Sequence, residues 1–323
     1  MGTLLPGASV TVSVPASTAN LGPGFDAVGL ALGILDEYAV EVLPKGSGLE
    51  VLLEGEGAAE LPTDGRHLVA VHLREALEAC GLGWLSGYGL RLTCRNTVPQ
   101  SAGLGSSATA IVGGLGLGFA LVRGGELTEA DLGLVNTHAG IAEGHPDNSS
   151  ASVYGGLTVS WMPGGSVVRT ARPTLHPDIV PVALLPQDTR LDTATARAVL
   201  TPQVPRADAV RQAARAALLV HALTAEPAML LDATQDWLHQ EQRRGVYPVT
   251  MAAVDALRAQ GHAAVVSGAG PTVLCLTTVD LVDVVVSEVR SWGRSWKALT
   301  PGVAVSGLSV VPATGGAGAG SRR

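Results

Sequence analysis

The segment Val98-Pro99-Gln100-Ser101-Ala102-Gly103-Leu104-Gly105-Ser106-Ser107-Ala108 constrains this chain more than any other. It follows an alternating apolar run, Leu90, Leu92 and Cys94, and opens a stretch of small residues able to form a helix. Glycine reaches backbone conformations closed to other residues, so such a loop can curl its N–H groups around phosphate oxygens. The free N–H groups and dipole of the helix behind it add a favourable field at the same point. The fold must therefore supply strand, loop and helix in that order, and the ligand that suits the loop is a nucleotide. A plain Gly/Ser turn is the alternative reading of a lone GLG, but the serine placement in PxxxGLGSSA favours phosphate. The lysines are Lys45 and Lys297, and neither lies in a GxxxxGK[ST] pattern, which excludes a Walker-type loop. Amides, hydroxyls, a helix end and a metal ion would then hold the phosphates.

The 323 residues allow one large or two medium domains. Hydrophobic residues make up 46% and aromatics only 3%, so valine, leucine and alanine must build the core. Net charge is −7 with no basic run, which argues against nucleic acid as a partner, because backbone binding needs clustered cations. Cys80, Cys94 and Cys275 form no CxxC, and the expectation is reduced thiols in a cytoplasmic protein. The histidines show no zinc-ligand spacing. No basic and apolar leader is seen, and no apolar run approaches the ~20 residues that span a bilayer, so no membrane role is expected.

Val10, Val12 and Val14 alternate with polar residues as in a half-buried strand, which Pro15 is expected to end. Ala16 to Gly24 reads as a loop, and Val40–Val42 and Leu49–Leu53 as strands. Helices are expected over 67–80, 106–122 and 128–143, the last with Thr128 and Asp131 as a capping pair. Four glycines inside 106–122 cost about 1 kcal/mol each relative to alanine, so they imply close packing or an early helix end. A strand is expected over Val153–Trp161. The Pro/Gly/Arg-rich segment 163–177 then marks a boundary. Beyond it come a strand at 180–185, helices at 206–223, 227–240 and 247–260, strands at 263–266 and 272–276, and a valine-rich helix from Val282 to Val289. A last strand is expected over 303–311. Helices and strands in both halves suggest an α+β fold with two domains, 1–165 and 166–313, and a disordered tail at 314–323.

Four further segments suit a kinase site. Asn20 and Asp26 lie in PASTANLGPGFD, where an amide and a carboxylate can face a ligand, although such residues also make turns. Glu143-Gly144-His145-Pro146-Asp147-Asn148 packs carboxylates, an imidazole and an amide together, and Glu143 offers the oxygen that Mg²⁺ prefers. Thr193–Arg197 and Arg243-Arg244 supply guanidinium forks for a carboxylate, though a lone arginine is commonly a solvated surface charge. Ser267-Gly268-Ala269-Gly270-Pro271-Thr272 is a strand–turn–strand whose glycines permit close backbone approach.

Together these segments resemble the GHMP kinase superfamily, and within it the homoserine kinases. Three motifs carry the resemblance in order: PASTANLGPGFDAVGLAL at 15–32, VPQSAGLGSSATA at 98–110 and SGAGPTVLCL at 267–276. EGHPDN and TATAR match as well, and the first motif lacks the PGK lysine of mevalonate-type relatives. The resemblance implies a two-domain GHMP kinase fold, ribosomal-protein-S5-domain-2-like at the N-terminus and ferredoxin-like at the C-terminus. It implies transfer of the ATP γ-phosphate to the side-chain hydroxyl of L-homoserine, on the route to threonine, and by analogy a homodimer. Carried over by position, Pro99, Gly103, Leu104, Gly105, Ser106 and Ser107 belong to the phosphate loop, with His67 at the purine. Ser106 and Glu143 would hold Mg²⁺. Asn20 would hold the reacting hydroxyl, and Asp26 and His145 would meet the amino acid. Arg197 and Arg243 would clamp its carboxylate, with Thr193 nearby. Asp147 aligns with the carboxylate that other members are thought to use as a base, and Asn148 is an alternative orienting group. A paralogue acting on another hydroxylated amino acid, or a silent nucleotide-binding regulator, are the competing readings.

Overall fold

A computed structural model describes residues 4–190 and 193–311, with the Thr193 side chain outside that description. The expected tail beyond residue 313 also lies outside the described residues. The first half runs β1 (Ser9–Asn20), β2 (Gly24–Leu43), β3 (Leu49–Gly55), α1 (Leu68–Ala79) and β4 (Gly89–Asn96). Then come α2 (Ser106–Val122), α3 (Glu129–Glu143), α4 (Asp147–Tyr154), β5 (Leu157–Trp161) and β6 (Arg169–Ala171). The second half runs β7 (Ile179–Pro186), α5 (Thr193–Ala198), α6 (Arg206–Thr224), α7 (Leu230–Ala233) and α8 (Pro248–Ala259). It closes with β8 (Ala263–Val266), β9 (Val273–Thr278), α9 (Val282–Ser291), β10 (Trp296–Leu299) and β11 (Ser309–Val311).

Two sheets result. The first has the order β11-β1-β2-β4-β3, with β5 on the early part of β2 and β6 outside β5. Its pairings are antiparallel except β3 with β4, which α1 connects as a crossover. The second is antiparallel in the order β10-β7-β9-β8. The α+β expectation stands. β6 and β11, both beyond residue 166, add to the first sheet. Among the described residues no helix is long and apolar enough to cross a membrane.

Each sheet packs helices on an aliphatic face. Val10, Val12 and Val14 meet Val40, Leu92, Leu73 and Val112 in one core, while Val182, Val254 and Val285 meet in another. A third cluster joins the halves, with Leu21 of the β1–β2 turn and Val28 and Leu30 of β2 against Leu219, Leu230 and Leu274 of the second unit. Helix α2 lies buried in the first core, and its glycines mark close approach rather than an end. A Cβ on Gly114 would sit 2.4 Å from the Val69 carbonyl oxygen, and one on Gly118 2.5 Å from the Ala76 Cβ, so α1 and α2 touch backbone to backbone. Thr128 and Asp131 form the expected reciprocal cap of α3.

Several expectations need correction. Pro15 does not end its strand: β1 continues to Asn20, because a register shift between Pro15 and Ala16 absorbs the missing N–H. The loop over 16–24 shrinks to the turn at Leu21–Pro23. Val153 belongs to α4, so β5 begins only at Leu157. The helix expected over 227–240 breaks after Ala233, since the Asp236 carboxylate accepts from the N–H groups of Leu238, His239 and Gln240 and offers the backbone a capped turn instead. The strand expected over 303–311 is reduced to 309–311, paired with β1.

Candidate active site

A cavity of about 630 Å³ runs between the two halves. Along its middle lies the 101–105 loop, which enters α2 at Gly105 with no side-chain cap, so the first N–H groups of the helix are left for a ligand. The loop is braced from two sides. The Ser17 N–H donates to the Leu104 carbonyl at 3.1 Å, and the Ser267 hydroxyl donates to the Gly103 carbonyl at 2.6 Å. Gly103 and Gly105 have φ of 77° and 74°, and Cβ atoms there would meet the Ser267 carbonyl oxygen at 2.5 Å and Ser17 Oγ at 2.2 Å. Only glycine combines that conformation with that contact. Ser106 and Ser107 line the cavity. Leu104 instead buries its side chain with Val98 and Ala183, and Pro99 is not part of the cavity wall.

Sequence reasoning missed what anchors this loop. Asp36, buried on β2, accepts from the Thr97 N–H at 2.7 Å and the Val98 N–H at 3.0 Å through Oδ1. Through Oδ2 it accepts from Tyr38 Oη at 2.9 Å and Thr109 Oγ1 at 2.8 Å. One carboxylate thus ties both flanks of the phosphate loop to the sheet. The D-x-Y spacing, which places both side chains on one face of a strand, was the available signal. Burial and the Asp36 charge push the Tyr38 phenol well up, so it stays protonated and donating.

The apolar end of the cavity is lined by Tyr38, His67, Val69 and Ile111. His67 is buried, its Nδ1 has no partner among the described residues, and burial lowers its pKa, so it presents a neutral ring there.

At the other end, Asn20 and Asp26 flank the turn with φ of 71° and 55°, a conformation that Asn and Asp tolerate better than most. Asn20 Nδ2 donates to the Gly268 carbonyl at 2.8 Å, and its Oδ1 accepts from the Asp26 N–H at 3.0 Å. The amide lines the cavity while pinning the turn to the 267–271 segment. Asp26 binds Arg197 through two bonds, from Nη2 to Oδ1 at 2.6 Å and from Nη1 to Oδ2 at 3.2 Å. Arg243 is 1% exposed; its Nε donates to the Ala196 carbonyl at 2.9 Å and its Nη1 to His239 Nδ1 at 3.1 Å. His239 Nε2 meets the Gly22 carbonyl at 2.9 Å. A guanidinium only donates and a carbonyl only accepts, so Nε2 carries the proton and the imidazole is neutral. Burial, which lowers its pKa, agrees. Arg197 and Arg243 both lie over the Phe25 ring, at 5.6 and 5.5 Å from its centroid. Phe25 and His239 were not anticipated. Thr193 opens α5, and its side chain lies outside the described residues.

Between these ends stand Glu143, His145, Asp147 and Asn148. His145 Nδ1 and Asp147 Oδ1 are 2.6 Å apart, and Asp147 Oδ1 also accepts the Asn148 N–H at 2.8 Å. Burial alone would lower the His145 pKa, but the bond to Asp147 outweighs it and raises the value. Asn148 Oδ1 accepts from Ser17 Oγ at 3.1 Å. Glu143 Oε2 is buried with no partner among the described residues, and burial pushes that carboxyl up to about 7. An orphaned carboxylate oxygen and the Ser106 hydroxyl on the same cavity are the hard donors a divalent cation takes, so the residues fit Mg²⁺.

Two units meeting at a lysine-free glycine loop beside a cluster of charged side chains are the arrangement of a GHMP kinase. The family descriptions "GHMP kinases N terminal domain" and "GHMP kinases C terminal" match residues 67–156 and 205–295. The chain is 49% identical over 286 residues to a homoserine kinase of Rhodococcus erythropolis, covering 85% of this chain and 88% of that one. It is 46% identical over 305 residues to a homoserine kinase of Streptomyces avermitilis, covering 94% and 96%. The chain belongs to the homoserine kinase family within the GHMP kinases. The solved homoserine kinase of Cytophaga hutchinsonii has the same fold, with a TM-score of 0.81 at 21% identity, over 96% of this chain and 100% of that one. A solved putative homoserine kinase of Listeria monocytogenes superposes with a TM-score of 0.73 at 25% identity, over 94% and 99%.

Proposed function

We propose that this chain transfers the γ-phosphoryl group of ATP to the side-chain hydroxyl of L-homoserine, giving O-phospho-L-homoserine and ADP on the route to threonine. The observation that carries the reading is the acceptor end of the cavity. There one carboxylate, Asp26, and two guanidiniums, Arg197 and Arg243, cluster around Phe25 beyond the phosphate loop. A carboxylate for an ammonium and two forks for a carboxylate describe an α-amino acid.

In the reaction the hydroxyl oxygen forms a bond to the γ-phosphorus as the bond to the bridging β,γ-oxygen breaks, that oxygen leaves with ADP, and the hydroxyl proton passes to a phosphoryl oxygen and on to solvent. The 103–107 amides and the free end of α2 receive the polyphosphate. Ser106 and Glu143 would hold Mg²⁺, which when bound neutralises phosphate charge. Asn20 retains a second amide hydrogen and a free lone pair with which to orient the hydroxyl. Asp147 already serves His145 and the Asn148 N–H, which supports a positioning role. Phosphoryl transfer can proceed mainly by alignment and charge neutralisation. The test is ADP release by the purified protein with Mg²⁺ and ATP across L-homoserine, L-serine, L-threonine and mevalonate. Saturable preference for L-homoserine is expected; preference for another acceptor, or none, overturns the reading.

A further inference from the structure

Resting on the phosphoryl transfer proposed above, we infer that Ser17 is a positioning residue that turns the Asn148 amide N–H groups toward the transferring phosphoryl group. Ser17 lies near the end of β1 and is fully buried. Its backbone N–H donates to the Leu104 carbonyl at 3.1 Å, which ties it to the phosphate loop. Its hydroxyl donates to Asn148 Oδ1, on the first turn of α4, at 3.1 Å. The same hydroxyl accepts from Ser152 Oγ, one turn further along α4, at 3.2 Å. It also packs against the start of α2, where a Cβ on Gly105 would lie 2.2 Å from Ser17 Oγ.

The hydrogen count fixes the direction of the amide. A hydroxyl has one hydrogen and two lone pairs, whereas a carboxamide has an acceptor end and a donor end. The Ser152 hydrogen is directed at Ser17, so the Ser17 hydrogen goes to Asn148. Asn148 therefore offers its oxygen to Ser17 and points its NH₂ group the other way. That way is the cavity, which Asn148 lines beside Gly268. Asp147 accepts the backbone N–H of Asn148, so it fixes the main chain there and leaves the amide to Ser17. N–H groups facing phosphoryl oxygens favour the transfer, whereas a flipped amide would set its own oxygen against theirs. Because one residue holds Leu104 by its backbone and Asn148 by its side chain, the donor stays in register with the loop that cradles the phosphates.

The test is a double-mutant cycle with Ser17→Ala and Asn148→Ala, read by steady-state kinetics in both substrates with melting alongside. Ser17→Ala keeps the backbone bond to Leu104, so the KM for ATP should stay within about twofold while kcat falls about tenfold. Asn148→Ala should lower kcat at least as far. The double variant should be no slower than Asn148→Ala alone, since Ser17 then has no amide to orient. Unchanged kcat in either single variant, a raised KM for ATP in place of the fall in kcat, or losses that multiply in the double variant overturn the inference. If Ser17→Ala does not fold, the wild-type protein decides. Its Asn148 side-chain NH₂ signals in NMR, assigned by their loss in Asn148→Asp, should shift when Mg²⁺ and a non-hydrolysable ATP analogue are added; signals that stay in place overturn the inference. Wild-type protein that turns over no acceptor would instead overturn the function on which it rests.

Discussion

Replacing Gly103 by alanine tests whether the 267–271 turn sets the position of the phosphate loop. The new Cβ would lie 2.5 Å from the Ser267 carbonyl oxygen and 2.7 Å from that of Gly270, both rigid backbone. The left-handed φ of 77° adds a cost of about 1 kcal/mol for a residue with a Cβ. Overpacking in a tight contact costs about 1–3 kcal/mol. If the loop withdraws, the 2.6 Å bond from Ser267 Oγ to the Gly103 carbonyl is strained as well. Relief by a shift of the loop transfers the cost to nucleotide binding. A loss of about 2–4 kcal/mol lowers kcat/KM for ATP roughly thirty- to several-hundred-fold. The assay varies ATP at saturating acceptor and follows thermal melting alongside. Gly133→Ala is the matched control: Gly133 lies within α3, nothing stands within 4 Å of its added Cβ, and the variant should gain about 1 kcal/mol of stability with unchanged kinetics. Wild-type melting and wild-type kcat/KM for ATP in Gly103→Ala would refute the bracing argument.

Other perturbations separate the parts of the site. Asp36→Ala should raise the KM for ATP about tenfold or more while leaving the acceptor KM within about twofold, because the Thr97 and Val98 N–H groups then lose their acceptor; steady-state kinetics in both substrates reads the split. Asp147→Asn should retain measurable turnover, whereas Arg197→Ala should act mainly on the acceptor KM; total loss of turnover in Asp147→Asn with normal substrate binding would restore a base mechanism. Asp131 supplies a pH effect. Burial alone would raise its pKa, but the Thr128 bonds and Arg123 outweigh this and hold it below the usual 3.8. A carboxyl lowered by folding contributes stability that is full above the unfolded value and lost as pH falls through the folded one. Melting of wild type and Asp131→Asn should therefore differ at neutral pH and converge as pH falls below 3.8 and through the lowered folded value.

Elements with a strong local signal were legible in the sequence. Helix α2 has its expected limits at Ser106 and Val122, and Thr128 with Asp131 fixed the start of α3. The misreadings arose where long-range contacts override local ones. Pro15 normally stops a strand, but a bulge against β2 lets β1 reach Asn20, and that extension places the amide at the cavity. Asp236 looks like one more helical residue until its carboxylate caps the turn that carries His239 and Arg243. Arginines were readable as charge, but not their sharing of Phe25 or the pairing of one with Asp26, since both depend on residues more than a hundred positions apart. Asp36 stayed hidden because its four donors come from Tyr38, Thr97, Val98 and Thr109, and only the last three lie near the glycine motif.

The pairing of β11 with β1 bears on how the protein is made. Thr11, Val12 and Ser13 find their partners at Val311, Val310 and Ser309, nearly the full chain away. During synthesis the first sheet can assemble β2, β4 and β3, yet one edge of β1 waits for residues 309–311, which are made long after it. An edge with unpaired N–H and C=O groups is a template for other strands. Until residues 309–311 are made, the strand that carries Asn20 toward the cavity is open on that side, so a chain cut short before residue 309 would expose a strand edge.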